Sequence, residues 1–280
     1  MIPPAFDYER ADSAEHAVQL LGQLGDDAKL LAGGHSLIPL MRLRLAAPST
    51  LVDIGKVDEL AYVRDAGDHV AIGAMTRHEA VHGDALLREH CPILPYAAGL
   101  VGDPQVRRRG TIGGASAHGD PASDIPSTLL ALGATFVVRG ASGERTVPAS
   151  DFFRGFFEVD VAPDELLTEI RVPKTGASGW SYQKFNHRAQ DWATVGVAAV
   201  VDRSNGSVSH AAIALTSMGE VPIRAVSVES ALASGAGPAD AAEHADEGTN
   251  PVSDPFGSSE YRRALSKVLT RRALEEALSR

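Results

Sequence analysis

Between residues 15 and 25 the apolar side chains of Ala17, Leu20, Leu21 and Leu24 recur at helical spacing, which predicts a helix with one buried face. Ser13 stands just ahead of it as a cap. An apolar run at 29–32 reads as a short strand and stops at Gly33-Gly34. Leu37, Leu40 and Met41 then resume helical spacing over 36–45, with Arg42 and Arg44 turned outward. A second strand follows at 51–54. The order helix, strand, helix, strand predicts a small α/β unit at the start of the chain.

Further on, 69–72 reads as a strand, and Thr76-Arg-His-Glu79 has the form of a capping box opening a helix. Residues 96–101 read as helical and 105–109 as a basic, apolar-poor run. A second Gly-Gly, at Gly113-Gly114, precedes a predicted helix over 125–132, with Asp124 at its cap and Pro126 in the tolerated first turn. Strands are predicted at 135–139, 145–147 and 166–172, the first two joined by a turn at 140–143. The composition changes after Pro173, and 176–179 (Gly-Ala-Ser-Gly) reads as a joint. Three more strands follow at 181–185, 194–202 and 208–216. Ser204-Asn205-Gly206 gives a hairpin between the last two. A helix is predicted at 224–234, a partly mobile segment at 235–258, and an amphipathic closing helix at 260–278.

Composition narrows the function. A hydrophobic content of 44% with 22% charged residues is ordinary for a soluble globular protein. The net charge of -10 argues against a nucleic-acid or anionic-membrane surface, which needs a concentrated basic face. A bound phosphate would therefore rely on local donors. One cysteine, Cys91, can build neither a disulfide framework nor an iron–sulfur cluster. The first residues lack the basic start and apolar run of a signal peptide, and no apolar stretch is long enough to span a bilayer. The expectation is a cytoplasmic protein, with Asn205-Gly206-Ser207 a turn rather than a glycosylation site.

The two Gly-Gly pairs carry the chemistry. Glycine admits unusual dihedrals and close approach to backbone N–H groups, which can cup phosphate oxygens. A lone pair of this kind is most simply a tight turn, and neither pair belongs to a dinucleotide fingerprint or a P-loop. Gly113 stands 80 positions after Gly33, again among small polar residues such as Thr111 and Ser116. Two such loops suit a long diphosphate ligand gripped from both sides.

Four blocks, AGGHSLIPLMRLRLA, TIGGASAHGDPASDIPSTLLAL, YQKFNHRAQDWATVGVAAVV and SDPFGSSEYRRALSKVLTRRAL, together resemble the FAD-binding medium subunits of the molybdenum hydroxylases. This is the xanthine dehydrogenase and carbon monoxide dehydrogenase family, and the likeness to the carbon monoxide dehydrogenase medium chains is greatest. The resemblance spans nearly the whole chain, in the family's order. It implies an α+β fold: a p-cresol methylhydroxylase-type FAD-binding domain over 1–175, with subdomains of about 1–55 and 56–175. A C-terminal flavoprotein domain over 176–280 would hold a three-stranded antiparallel sheet and helices.

The resemblance also implies roles. Ala32, Gly33, Gly34, His35 and Ser36 match the first FAD loop, and Thr111, Ile112, Gly113, Gly114 and Ala115 the second. The glycines would be bare because the FAD diphosphate lies against them. Asp124 falls near the ribityl chain, or is a plain helix cap; Leu167 and Lys184 fall beside the flavin. Trp192 aligns with an aromatic position near the flavin ring, its plainer reading being a core tryptophan. Arg188 and Asp191 read as a structural pair, and Arg107–Arg109 as a solvated basic face or a partner contact. The family often has Asn or Asp where this chain has Ala115, so a side-chain hydrogen bond of about 1 kcal/mol is missing. The implied function is electron transfer through FAD. The implied partners are a large molybdenum-cofactor subunit and a small iron–sulfur subunit, and no side chain of this one is catalytic. Two alternatives stay open: a stand-alone FAD-dependent oxidoreductase acting on a small molecule, with His118 as its candidate base, and a non-catalytic assembly protein.

Overall fold

The computed structural model describes residues 2–280. Its first unit comprises β1 (Asp7–Arg10), α1 (Ala14–Leu24), β2 (Ala28–Leu31), α2 (Leu37–Arg42) and β3 (Thr50–Asp53). The strands form a parallel sheet in the order β1-β3-β2. Ser13 caps α1 as expected, its Oγ accepting from the His16 N–H at 3.0 Å. The buried face differs from the predicted one. Ala14, Ala17, Val18 and Leu21 pack inward, while Leu24, in the last turn, is 36% exposed. The pattern did not show β1, because all four of its residues are exposed and leave no hydrophobic alternation.

The second unit runs through β4 (Val63–Asp65), β5 (His69–Gly73), α3 (His78–Gly83), α4 (Ala85–His90), α5 (Ile93–Gly99), α6 (Pro104–Arg109), α7 (Ile112–His118) and α8 (Asp124–Ala131). It continues with β6 (Thr135–Gly140), β7 (Gly143–Pro148), α9 (Ala149–Phe152), β8 (Phe153–Gly155), β9 (Glu158–Val159) and β10 (Leu166–Pro173). Five of these strands form an antiparallel sheet, β4-β5-β10-β6-β7, with β8 and β9 as a separate pair. The central strand β10 carries a bulge between Leu167 and Glu169.

Two expectations fail here. Thr76 caps nothing: its hydroxyl accepts from the Tyr62 N–H at 3.1 Å and donates to the Tyr62 carbonyl at 2.9 Å. Glu79 instead meets Arg107 at 3.3 Å. Gly113 and Gly114 sit not in a loop but in the first turn of α7, capped by Thr111.

The third unit holds β11 (Gly179–Phe185), β12 (Val195–Ser204), β13 (Ser207–Thr216) and β14 (Ile223–Arg224), with α10 (Val226–Ala233), α11 (Pro238–Ala242) and α12 (Ser259–Ser279). The antiparallel sheet has the three predicted strands plus the two-residue edge strand β14. Both faces of β12 are covered. Ala198 and Val200 join the core that contains α8, while Val197, Ala199 and Val201 join the core under α12. That double burial explains its unbroken apolar run. Helix α8, buried at all eight positions, thereby ties the second unit to the third. Within the segment expected to be partly mobile, Ala241, Ala242 and Ala245 are buried near α12, while residues 252–256 are exposed.

Candidate functional site

The two Gly-Gly segments meet. A Cβ built on Gly33 would strike the Arg109 carbonyl oxygen and stand 2.9 Å from the Gly110 Cα. One built on Gly114 would lie 3.8 Å from the Cβ of Ala32. Along this seam opens a cavity of about 500 Å³, whose walls include Ala32–Ser36, Thr111, Gly113–Ala115, Asp124, Leu167 and Lys184. Its size lies within the range of small-molecule and cofactor pockets, roughly 300–1,000 Å³.

The two segments contribute differently. Among the described residues, the backbone N–H groups of Gly33, Gly34, His35 and Ser36 donate to no group of the chain. Gly34, at φ +75°, turns the backbone between strand and helix as only glycine does readily. In α7 the donors are already used. The Gly113 N–H reaches the Ala74 carbonyl at 2.9 Å, and the Gly114 N–H reaches Thr111 Oγ1 at 3.1 Å.

The reason for the bare glycines therefore changes. Gly33 is bare because it packs on backbone, and Gly113 because its Cβ would stand 2.6 Å from the Ala74 carbonyl oxygen. Ligand contact is not what first forbids a side chain there. Ile112 is fully buried and absent from the cavity wall; its N–H pairs with the Thr76 carbonyl at 3.0 Å. His35 is exposed at the rim.

On the far wall Asp124 and Lys184 form a buried ion pair at 2.8 Å. Asp124 is the first residue of α8 rather than its cap, which is Ser123. Its other oxygen accepts from the Tyr182 hydroxyl at 2.6 Å, and Lys184 also donates to the Leu100 carbonyl at 3.0 Å. Burial pushes the Asp124 carboxyl above its ordinary pKa, and the facing ammonium and phenol draw it back. Tyr182, buried against that carboxylate, is raised well above its ordinary value.

At the mouth, Gln190, Asp191 and Trp192 line the cavity, and Trp192 is 59% exposed, so it is not a core residue. Arg188 meets Asp191 through its backbone alone: its N–H donates to the Asp191 carboxylate at 3.1 Å and its carbonyl accepts from the Asp191 N–H at 2.9 Å. Arg107 is largely buried against Glu79, whereas Arg108 and Arg109 are exposed. His118 joins the wall with its ring tilted against Phe157, centroids 4.8 Å apart, and burial lowers its pKa. Sequence reasoning missed His78, 3% exposed, which borders the cavity and whose Nδ1 is shut from solvent without a partner. No spacing in the chain marks it.

These features fit a dinucleotide: free N–H donors on one wall and a buried charge pair on another. Residues 4–175 match the family model described as the FAD binding domain in molybdopterin dehydrogenase, and residues 180–277 match the CO dehydrogenase flavoprotein C-terminal domain. The chain belongs to the molybdopterin dehydrogenase FAD-binding family. Within this family it is 43% identical to the carbon monoxide dehydrogenase medium chain of Hydrogenophaga pseudoflava, over 100% of this chain and 99% of that one. It is 40% identical to the 6-hydroxypseudooxynicotine dehydrogenase complex subunit alpha of Paenarthrobacter nicotinovorans, covering 100% and 97%. A solved carbon monoxide dehydrogenase from Hydrogenophaga pseudoflava, lacking the Mo-pyranopterin moiety of its molybdenum cofactor, contains a chain with a TM-score of 0.97. That chain is 45% identical, with 100% and 99% covered.

Proposed function

We propose that the chain is the FAD-carrying electron-transfer subunit of a molybdenum hydroxylase, cytoplasmic and assembled with a large molybdenum-cofactor subunit and a small iron–sulfur subunit. The observation that carries this reading is the seam of the two Gly-Gly segments, which opens one cavity with four unused N–H donors on its wall. The N–H groups of Gly33–Ser36 hold the FAD diphosphate, and the tight packing of Gly33, Gly113 and Gly114 keeps the two walls in register. Ala32, Thr111, Ile112 and Ala115 complete the cradle, Ile112 by anchoring the start of α7 from below. Asp124, Leu167 and Lys184 border the ribityl and flavin portion.

Bound FAD supplies reversible electron uptake, one or two at a time, and release to an external acceptor. The chain's residues orient it and exclude water. Among the described residues no cluster of His, Cys, Asp or Glu is arranged to hold a metal, and Cys91, the single cysteine, is buried. Iron–sulfur clusters must then come from a partner. The two relatives act on different molecules by name, so the substrate of the complex is set outside this subunit. No helix of the described residues is long and apolar enough to cross a membrane.

Expression of the chain alone and with a cluster-bearing and a molybdenum-bearing partner tests the reading. The isolated chain is expected to bind FAD and turn over no small substrate, while the three-chain complex, given a substrate that its molybdenum subunit oxidises, passes the electrons to an artificial dye. Substrate turnover by the isolated flavoprotein would favour the stand-alone oxidoreductase instead.

A further inference from the structure

Behind the charged wall of the cavity lies a polar network for which the fold makes room. Tyr182, on β11, is 2% exposed and belongs to the core around α8 rather than to the cavity wall. Its hydroxyl donates to Asp124 Oδ1 at 2.6 Å. Lys184, two residues along and so on the same face of the strand, donates to Asp124 Oδ2 at 2.8 Å. The hydroxyls of Ser127 and Thr216, hydrogen-bonded to each other, stand beside the phenol. Gly196, on β12, is bare at this point: a Cβ there would stand 2.8 Å from the phenol oxygen and 2.9 Å from Thr216 Oγ1. Elements α8, β11, β12 and β13 thus fix one hydroxyl against one carboxylate oxygen.

Asp124 and Lys184 do border the cavity, so a ligand there lies beside their charges. Both side chains are nearly shut from water, where charges are screened least and need no contact to be felt. As an ion pair they give the wall a balanced charge. That balance depends on Asp124 staying ionised, which burial opposes and the facing ammonium and phenol support. Without the phenol, one of the two side-chain donors to the carboxylate is lost, and the neutral acid gains. The wall then carries the Lys184 charge alone. A flavin gains electrons on reduction, so an uncompensated positive charge beside it favours the reduced form.

We propose that Tyr182 is a positioning residue for the cofactor site: it holds Asp124 as a carboxylate against Lys184 and so sets the charge that the wall presents to bound FAD. This rests on the reading of the cavity as an FAD site. The phenol acts through Asp124 and touches no cofactor atom.

The full chain is loaded with FAD, and its two-electron equilibrium with a reference dye is measured beside its affinity for oxidised FAD and its melting temperature. Tyr182→Phe is expected to shift that equilibrium about tenfold towards reduced FAD, roughly 30 mV for a two-electron couple. Its affinity for oxidised FAD should stay within about threefold of wild type. Thr216→Val, which keeps the phenol but removes a hydroxyl beside it, should shift the equilibrium the same way by about threefold. Gly179→Ala, on the same strand but away from the cavity, controls for destabilisation alone. It should lower the melting temperature and leave the equilibrium where wild type has it. An unmoved equilibrium in Tyr182→Phe overturns the proposal in favour of a structural role and leaves the FAD site standing. An equal shift in Gly179→Ala does the same. Loss of FAD from a folded Tyr182→Phe chain overturns it in favour of a part in building the site. Should Tyr182→Phe fail to fold, Thr216→Val decides: a shift towards reduced FAD supports the proposal, and none overturns it. A wild-type chain that takes up no FAD overturns the proposal and the FAD reading together.

Discussion

Asp124 and Lys184 keep only 6% and 5% of their side chains exposed, so their attraction has two desolvation costs to offset. Taking away half of such a pair is worse than never having built it. Asp124→Asn would leave the ammonium facing an amide and the Leu100 carbonyl, an expected loss of about 3–5 kcal/mol in urea unfolding. A loss under about 1 kcal/mol would mean that the pair is hydrated, against its burial. His78 sets a second test at this scale. Burial, aided by the nearby Arg107 and Arg77 cations, lowers its pKa from 6.5 to about 4, with Glu79 partnering Arg107. The unfolded chain therefore binds a proton between those pH values that the fold refuses. Its contribution is intact above pH 6.5 and is lost as pH falls towards 4, about 3 kcal/mol in all. His78→Leu should flatten that acid slope in the apo chain; an unaltered slope would assign it to other groups.

Glycines within elements have opposite meanings in this fold. Gly179 begins β11 where α12 crosses, and a Cβ there would run into the Ala277 carbonyl. Gly179→Ala should cost about 1–3 kcal/mol by forcing strand and helix apart. Gly22, in α1, has nothing within 4 Å of its would-be Cβ, so Gly22→Ala should gain about 0.5–1 kcal/mol. Melting temperatures of the two variants should move in opposite directions; a shared direction would contradict this packing. The same contrast governs what was legible. Buried elements showed themselves in the apolar pattern, α1 by its period and β12 and β13 by their apolar runs, and all three lie within a few residues of expectation. The strand β1 has no buried residue and α7 has two glycines in its first turn, so neither carries a periodic signal. Thr76 and Glu79 had the right spacing for a cap, but Tyr62 and Arg107, distant along the chain, claimed them first. The Gly-Gly pairs were visible as a motif, yet their division of labour was not. Which N–H groups stay free depends on where Ala74 and Thr111 fall in space.

For the whole molecule, three sheets converge on one cavity, and no single unit closes it. Ala32–Ser36 come from the first, α7 and β10 from the second, and Lys184 from the third. Cofactor binding should accordingly stabilise all three units together, raising one melting transition rather than splitting it. Two separated transitions in the FAD-saturated chain would contradict that coupling. The central claim is that the seam between Gly33 and the Arg109–Gly110 backbone holds open a single FAD site, and titration of the flavin-free chain with FAD tests it most directly. Wild type is expected to bind one FAD per chain. Gly33→Val, with its side chain driven into that backbone, should lose about a hundredfold or more in affinity while circular dichroism still reports the fold. Undiminished one-to-one binding by Gly33→Val would contradict the account.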